Sequence, residues 1–226
     1  MKRWLSTGYL PLRSTIFPLA GIFLLMGLAE GALLWLLRKQ PAPPEALFGL
    51  PAAAVYFAAM LAVFFLLLLR YSGGAVTLGR LNVSPMEQFF LWGGWSALCF
   101  FGVMAWQVAL FLLLETIYLR LTPEAAHSQA MMLAVYRSDL LYTLLPLWEP
   151  LRYLCNLVMC VNLGFSAALL AFLRRTRRWH LAPILSLALV FVAGPGSNGP
   201  YFFGAAHLVL AVFCVRRWRR SAYEKA

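Results

Sequence analysis

A chain of 226 residues is long enough for one or two soluble domains, but one that is 62% hydrophobic and 12% charged cannot cover a water-facing surface. Its mean hydropathy of +0.77 points to a lipid environment. The 19 Lys and Arg against 8 Asp and Glu could suggest a nucleic-acid binder, yet they gather at the ends of apolar runs, where lipid phosphates are the natural partners.

Crossing about 30 Å of hydrocarbon at about 1.5 Å per residue takes about 20 mostly apolar residues. Six stretches reach or approach that length: 16–37, 50–69, 88–114, 151–173, 181–194 and 201–215. The second carries no charge, and the fourth is interrupted only by Arg152 near its start. The last two are shorter and flank Gly194-Pro195-Gly196-Ser197-Asn198-Gly199-Pro200, a turn sequence, so they form a hairpin that is either spanning or re-entrant. The expected fold is therefore an all-α, multi-pass integral membrane protein with six transmembrane helices in a single transmembrane domain, 1–226, in the cell membrane.

Orientation follows from the cations, which are retained on the cytoplasmic side during insertion. With the N terminus inside, 14 of the 19 Lys and Arg fall on the cytoplasmic face, most of them in the groups 174–178 and 216–225. Both termini are expected there. The basic, apolar N-terminal region is too long for a typical cleaved signal and reads as an uncleaved anchor. Cys99, Cys155, Cys160 and Cys214 all fall in apolar runs without ligand spacing and read as packing residues. No metal ligands are expected, since His127, His180 and His207 fall at three different depths.

Two segments lie outside the hydrocarbon. In 71–86, Val76, Leu78, Leu81 and Val83 alternate with Thr77, Arg80 and Asn82, a pattern suited to a short element along the inner interface. Ser84 with Glu87 forms a capping box and Pro85 occupies the first helical position, so the third span should start there. In 121–150, Thr122-Pro123-Glu124 is a helix start, and Met132, Tyr136, Leu140 and Leu144 recur every four residues. An amphipathic helix that rests on the outer leaflet or caps the bundle is expected, ended by Pro146 and Pro150.

An ionisable group at bilayer depth costs about 2.5–3.5 kcal/mol and is by default a functional candidate. Glu30 lies well inside the first span, and it is expected to face an internal cavity or pair with a polar group such as Gln107. Glu115 closes the third span and is expected to sit in water at the outer interface. Aromatics such as Trp92, Trp95, Phe101 and Trp106 read as packing or interfacial belt residues.

Six spans with internal termini, an interfacial stretch after span two, an outer element before span four and a final broken hairpin resemble the permease subunits of type-2 ABC exporters. The stretch Thr77-Leu78-Gly79-Arg80-Leu81-Asn82-Val83-Ser84 is similar to the Thr-Leu-x-Arg-Leu-x-x-Ser stretch of small bacterial permeases of that kind. Tyr136-Arg137-Ser138-Asp139, leading into Leu144-Leu145-Pro146-Leu147, is similar to their outer segment. The resemblance implies that 71–86 is a coupling segment docking on an ATPase subunit, with Thr77, Leu78, Arg80 and Leu81 as contacts. It also implies a dimer of permeases with two ATPase chains. The sequence has no Gly-x-x-x-x-Gly-Lys-Ser/Thr run, so ATP would bind the partner subunit and no cofactor or catalytic residue is expected here.

Two other readings compete. Gly164-Phe165-Ser166-Ala167 and Ala206-His207 resemble motifs of rhomboid intramembrane serine proteases, which would make Ser166 and His207 a catalytic pair. Ala167 in place of a second Gly, and a second span without His or Asn, depart from that pattern. A non-catalytic membrane scaffold is the other reading.

Overall fold

The computed structural model describes residues 2–37, 49–80, 85–121, 139–146 and 148–175, which form five helices and, among these residues, no strand. They are α1 (Lys2–Leu37), α2 (Leu50–Arg80), α3 (Pro85–Leu121), α4 (Asp139–Leu144) and α5 (Pro150–Arg175). Four of them, α1, α2, α3 and α5, are long and apolar enough to cross a membrane. The first four expected spans thus coincide with helices of spanning length. The expected fifth and sixth spans, with Cys214 and His207, lie outside the described residues, as does the larger part of the outer segment.

α3 is the helix around which the others gather. Its apolar residues run all round, one side packed in the bundle and the other carrying the exposed Phe90, Leu98, Leu112 and Leu113. It packs against α1, α2, α4 and α5. At 37 residues it is about 55 Å long by its rise per residue, well beyond the hydrocarbon thickness, so its ends must project. Its start is as the sequence predicts: Pro85 opens the helix and Glu87 lies in its first turn, where the helix dipole favours an acid.

The most extensive packing is between α3 and α5. Small residues bring it about. On α3, Gly93 and Ala97 are one turn apart, and on α5, Gly164 and Ala168 are likewise; lipid-embedded helices approach closely through such spacing. A Cβ built on Gly164 would collide with the backbone nitrogen of Ala97. Beside it the ring of Phe165 covers Gly93, where a Cβ would meet it at 2.5 Å, and packs on Phe89 and Phe90 at centroid distances of 5.6 and 6.0 Å. Gly164 and its neighbours are thus accounted for by helix contact.

The bundle alternates in direction. Tyr71 near the C-terminal part of α2 meets Trp92 early in α3 edge-on at 5.3 Å, and these join Phe89, Ala168 and Ala171 in one apolar cluster. A larger cluster fills the rest of the bundle, from Met26 and Leu34 through Tyr56, Val63 and Phe100 to Leu114, Tyr118 and Leu144. Residues 71–80, expected as the start of a separate interfacial element, continue α2 as helix to Arg80. Only 81–84 then separate α2 from α3.

Replacing Gly164 by Ala is expected to destabilise the bundle by about 1–3 kcal/mol, the cost of overpacking against a backbone that cannot yield. Gly94, where an added Cβ meets nothing within 4 Å, serves as the control. Gly94→Ala should be neutral or stabilising, as Gly in a helix interior costs up to about 1 kcal/mol relative to Ala. Thermal unfolding followed by circular dichroism in detergent distinguishes the two.

Candidate functional site

α1 meets α3 along a seam of polar contacts, in three of which a side chain of α3 donates to an acceptor on α1. Near the start of the seam, Thr15 donates its hydroxyl to the carbonyl of Pro11 at 2.7 Å and accepts from Trp95 Nε1 at 2.9 Å. Ser14 adds a second hydroxyl bond to the same carbonyl, at 3.0 Å. This local satisfaction suits a stretch interrupted by Pro11 and Pro18, each of which removes a helical N–H. Further along, Trp106 Nε1 donates to the backbone oxygen of Phe23 at 3.1 Å while its ring stacks on Phe23 at 5.7 Å.

The third contact joins the two residues singled out from the sequence. Gln107 Nε2 donates to Glu30 Oε1 at 2.5 Å, with Glu30 3% exposed and Gln107 fully enclosed. The expected pairing of an in-span carboxyl with Gln107 is therefore present. The remaining oxygens, Glu30 Oε2 and Gln107 Oε1, are buried and have no hydrogen-bond partner among the described residues. Around the pair stand apolar side chains: Gly27 faces Leu110, and Met26, Leu34, Met104 and Phe111 belong to the same core.

Glu115 differs from expectation. It is 2% exposed, with both carboxylate oxygens enclosed and unpartnered among the described residues, and so is not in water. The reason is that α3 continues to Leu121, and α4 packs Leu140, Leu141 and Leu144 into the core that Leu114 and Tyr118 share. Gln107 and Glu115 lie on one face of α3, about 12 Å apart along the axis.

A polar clasp joins α4 to α5, and nothing in the sequence reading foresaw it. Tyr142 Oη donates to Glu149 Oε1 at 2.9 Å, Arg152 Nε lies 3.3 Å from Glu149 Oε2, and the Arg152 guanidinium stands 5.4 Å from the centre of the Tyr142 ring. Asn156 Nδ2 donates to the carbonyls of Thr143 and Leu144 at 2.6 and 3.4 Å, satisfying acceptors that the end of α4 leaves open. The clasp explains how Arg152 can open a helix of spanning length: Glu149 three residues earlier balances its charge. The recurrence of Leu140 and Leu144 does mark buried positions, as the periodicity predicts, and α4 stops before Pro146. Met132 and Tyr136 lie outside the described residues.

The remaining candidates separate. Thr77, Leu78 and Arg80 occupy the final turns of α2, whereas Leu81 lies outside the described residues. Ser166 is buried on α5, one residue from Phe165 and two from the Gly164 contact, and His207 lies outside the described residues. Among the described residues no group of three or more His, Cys, Asp or Glu side chains could hold a metal ion. Cys99 and Cys160 are buried in the apolar core, in keeping with packing roles. The α1–α3 seam is only partly legible in the sequence: Glu30 and Gln107 stand out there, whereas the contacts of Trp95 with Thr15 and of Trp106 with the Phe23 carbonyl do not.

Gln107→Leu leaves Glu30 without its donor and is expected to destabilise the chain by about 1–3 kcal/mol, the cost of an unsatisfied buried polar group. Glu30→Leu should cost a similar amount. The double variant should recover part of the loss, because no polar group then remains unpaired at the seam. Thermal unfolding of the four proteins in nanodiscs checks the coupling, and strictly additive losses would show that the pair does not act as a unit.

No protein-family model matches this chain, and neither a curated protein nor a solved structure matches it. Its functional reading therefore rests on its own residues.

Proposed function

We propose that this chain is the membrane-spanning permease subunit of an ATP-driven ABC exporter, a multi-pass protein of the cell membrane with six spans and both termini in the cytoplasm. It works as half of a permease dimer, with two ATPase subunits supplied by a separate polypeptide. The observation that carries the reading is the position of the stretch 77–84, which resembles the coupling stretch of such permeases. It covers the last turns of α2 and the short link to α3, between two helices long and apolar enough to cross a membrane. Exposed Arg13 and Arg70 lie toward the same end of the bundle, which supports a cytoplasmic assignment.

The arrangement suits a lever. Thr77, Leu78, Arg80 and Leu81 would meet a groove of the ATPase. A push there acts on the end of α2 and the start of α3, and α3 touches every other described helix. Closure of the ATPase pair would thus shift the bundle as packed units. Glu30 and Gln107, enclosed between α1 and α3, are the pathway candidates.

The test is whether a neighbouring reading frame encodes a soluble protein with a Walker A loop, and whether that ATPase co-purifies with this chain. The tagged wild-type chain should retain that ATPase, and Arg80→Glu should reduce its recovery at least about tenfold by reversing the charge at the contact. If the ATPase fails to co-purify with the wild type, or the variant retains it in full, the exporter reading is wrong.

A further inference from the structure

The Glu30–Gln107 contact is half of a matched pair. A primary amide offers two N–H donors and one acceptor oxygen, and an ionised carboxyl offers acceptors only. With one bond made from Gln107 Nε2 to Glu30 Oε1, what remain are the second N–H of Gln107 and two enclosed acceptors, Glu30 Oε2 and Gln107 Oε1, neither of which has a hydrogen-bond partner among the described residues. Neither oxygen is open to solvent, and no described side chain donates a hydrogen bond to either. A hydrogen atom on Oε2 supplies the missing donor and serves both oxygens at once.

Among the described residues, the neighbouring helices offer no competing cation at this depth. On α2, Arg70 lies toward the end linked to α3 and Arg80 ends the helix, leaving Tyr56 and Tyr71 as its other titratable side chains. On α3, Arg120 is in the last turn and Glu87 in the first, with Cys99, Glu115 and Tyr118 between them. Arg13 is near the opposite end of α1 from Glu30. An uncompensated negative charge between α1 and α3 would cost several kcal/mol.

We propose that the Glu30–Gln107 pair is a proton-binding site, in which Glu30 carries hydrogen on Oε2 and donates it to Gln107 Oε1, closing a two-bond acid–amide ring between α1 and α3. Hydronium from the aqueous phase gives up one proton to Oε2: an O–H bond of hydronium breaks, an O–H bond to Oε2 forms, water leaves, and the carboxyl charge passes from −1 to 0. Separation of the two helices would expose both oxygens to water and release the proton. The site uses the two residues named above as pathway candidates, but its protonation is a property of this chain alone and does not rest on the exporter reading.

The test uses the full-length chain, without any ATPase, in phosphatidylcholine nanodiscs at neutral pH, with glutamate labelled at the side-chain carboxyl carbon. Infrared spectra of the wild type and of Glu115→Gln should both contain the carbonyl stretch of a hydrogen-bonded, protonated carboxyl, and Glu30→Gln should lose it. The Glu30→Gln chain should still unfold at the wild-type temperature, because its amide places an N–H where the acid carries its hydrogen. The proposal is overturned if Glu30→Gln removes no protonated-carboxyl band, or if it unfolds as early as Glu30→Leu.

Discussion

At Gly164 the backbone of α5 comes so near to Ala97 that no side chain fits between the two helices, and the remaining contacts are arranged about that approach. Helices in lipid gain little from burying apolar surface, because the tails are as apolar as the side chains. What holds them is close packing and the few hydrogen bonds that can be made across an interface. Small residues one turn apart on both partners provide the first, and they bring Phe165 onto Gly93 and into the ring cluster with Phe89 and Phe90.

The second device operates where α1 lies against α3. α1 is the least buried of the four helices of spanning length, with Phe17, Leu24, Leu25 and Leu28 on its outer side. Its attachment to α3 draws on directed bonds to Thr15, Phe23 and Glu30. Packed surfaces resist separation along their whole area, whereas a short series of hydrogen bonds can be exchanged for water one at a time. The two seams of α3 therefore differ in kind: a close-packed one toward α5 and a polar one toward α1.

That difference bears on how a push at the link between α2 and α3 would be felt. α3 and α5 would move together, since Gly164 leaves no slack, while the α1 seam contains the polar groups whose partners can change. The clasp of Tyr142, Glu149, Arg152 and Asn156 ties α4 to the start of α5 at the other end of the bundle. Charge is confined there by local pairing, so that Arg152 does not face the apolar interior alone.

The sequence by itself determined the four described helices of spanning length, because a continuous apolar run of about 20 residues has few other stable forms. It also marked the start of α3, through Pro85 and Glu87, and named Glu30 with Gln107, since a charged group in such a run needs a partner. Only the tertiary structure decided that Glu115 is enclosed, because whether a carboxyl at the end of a run meets water depends on what α4 lays beside it. The same holds for Gly164, whose role depends on Ala97 standing 67 positions earlier in the chain. Composition and periodicity describe one helix at a time, and neither records which faces of two helices will meet.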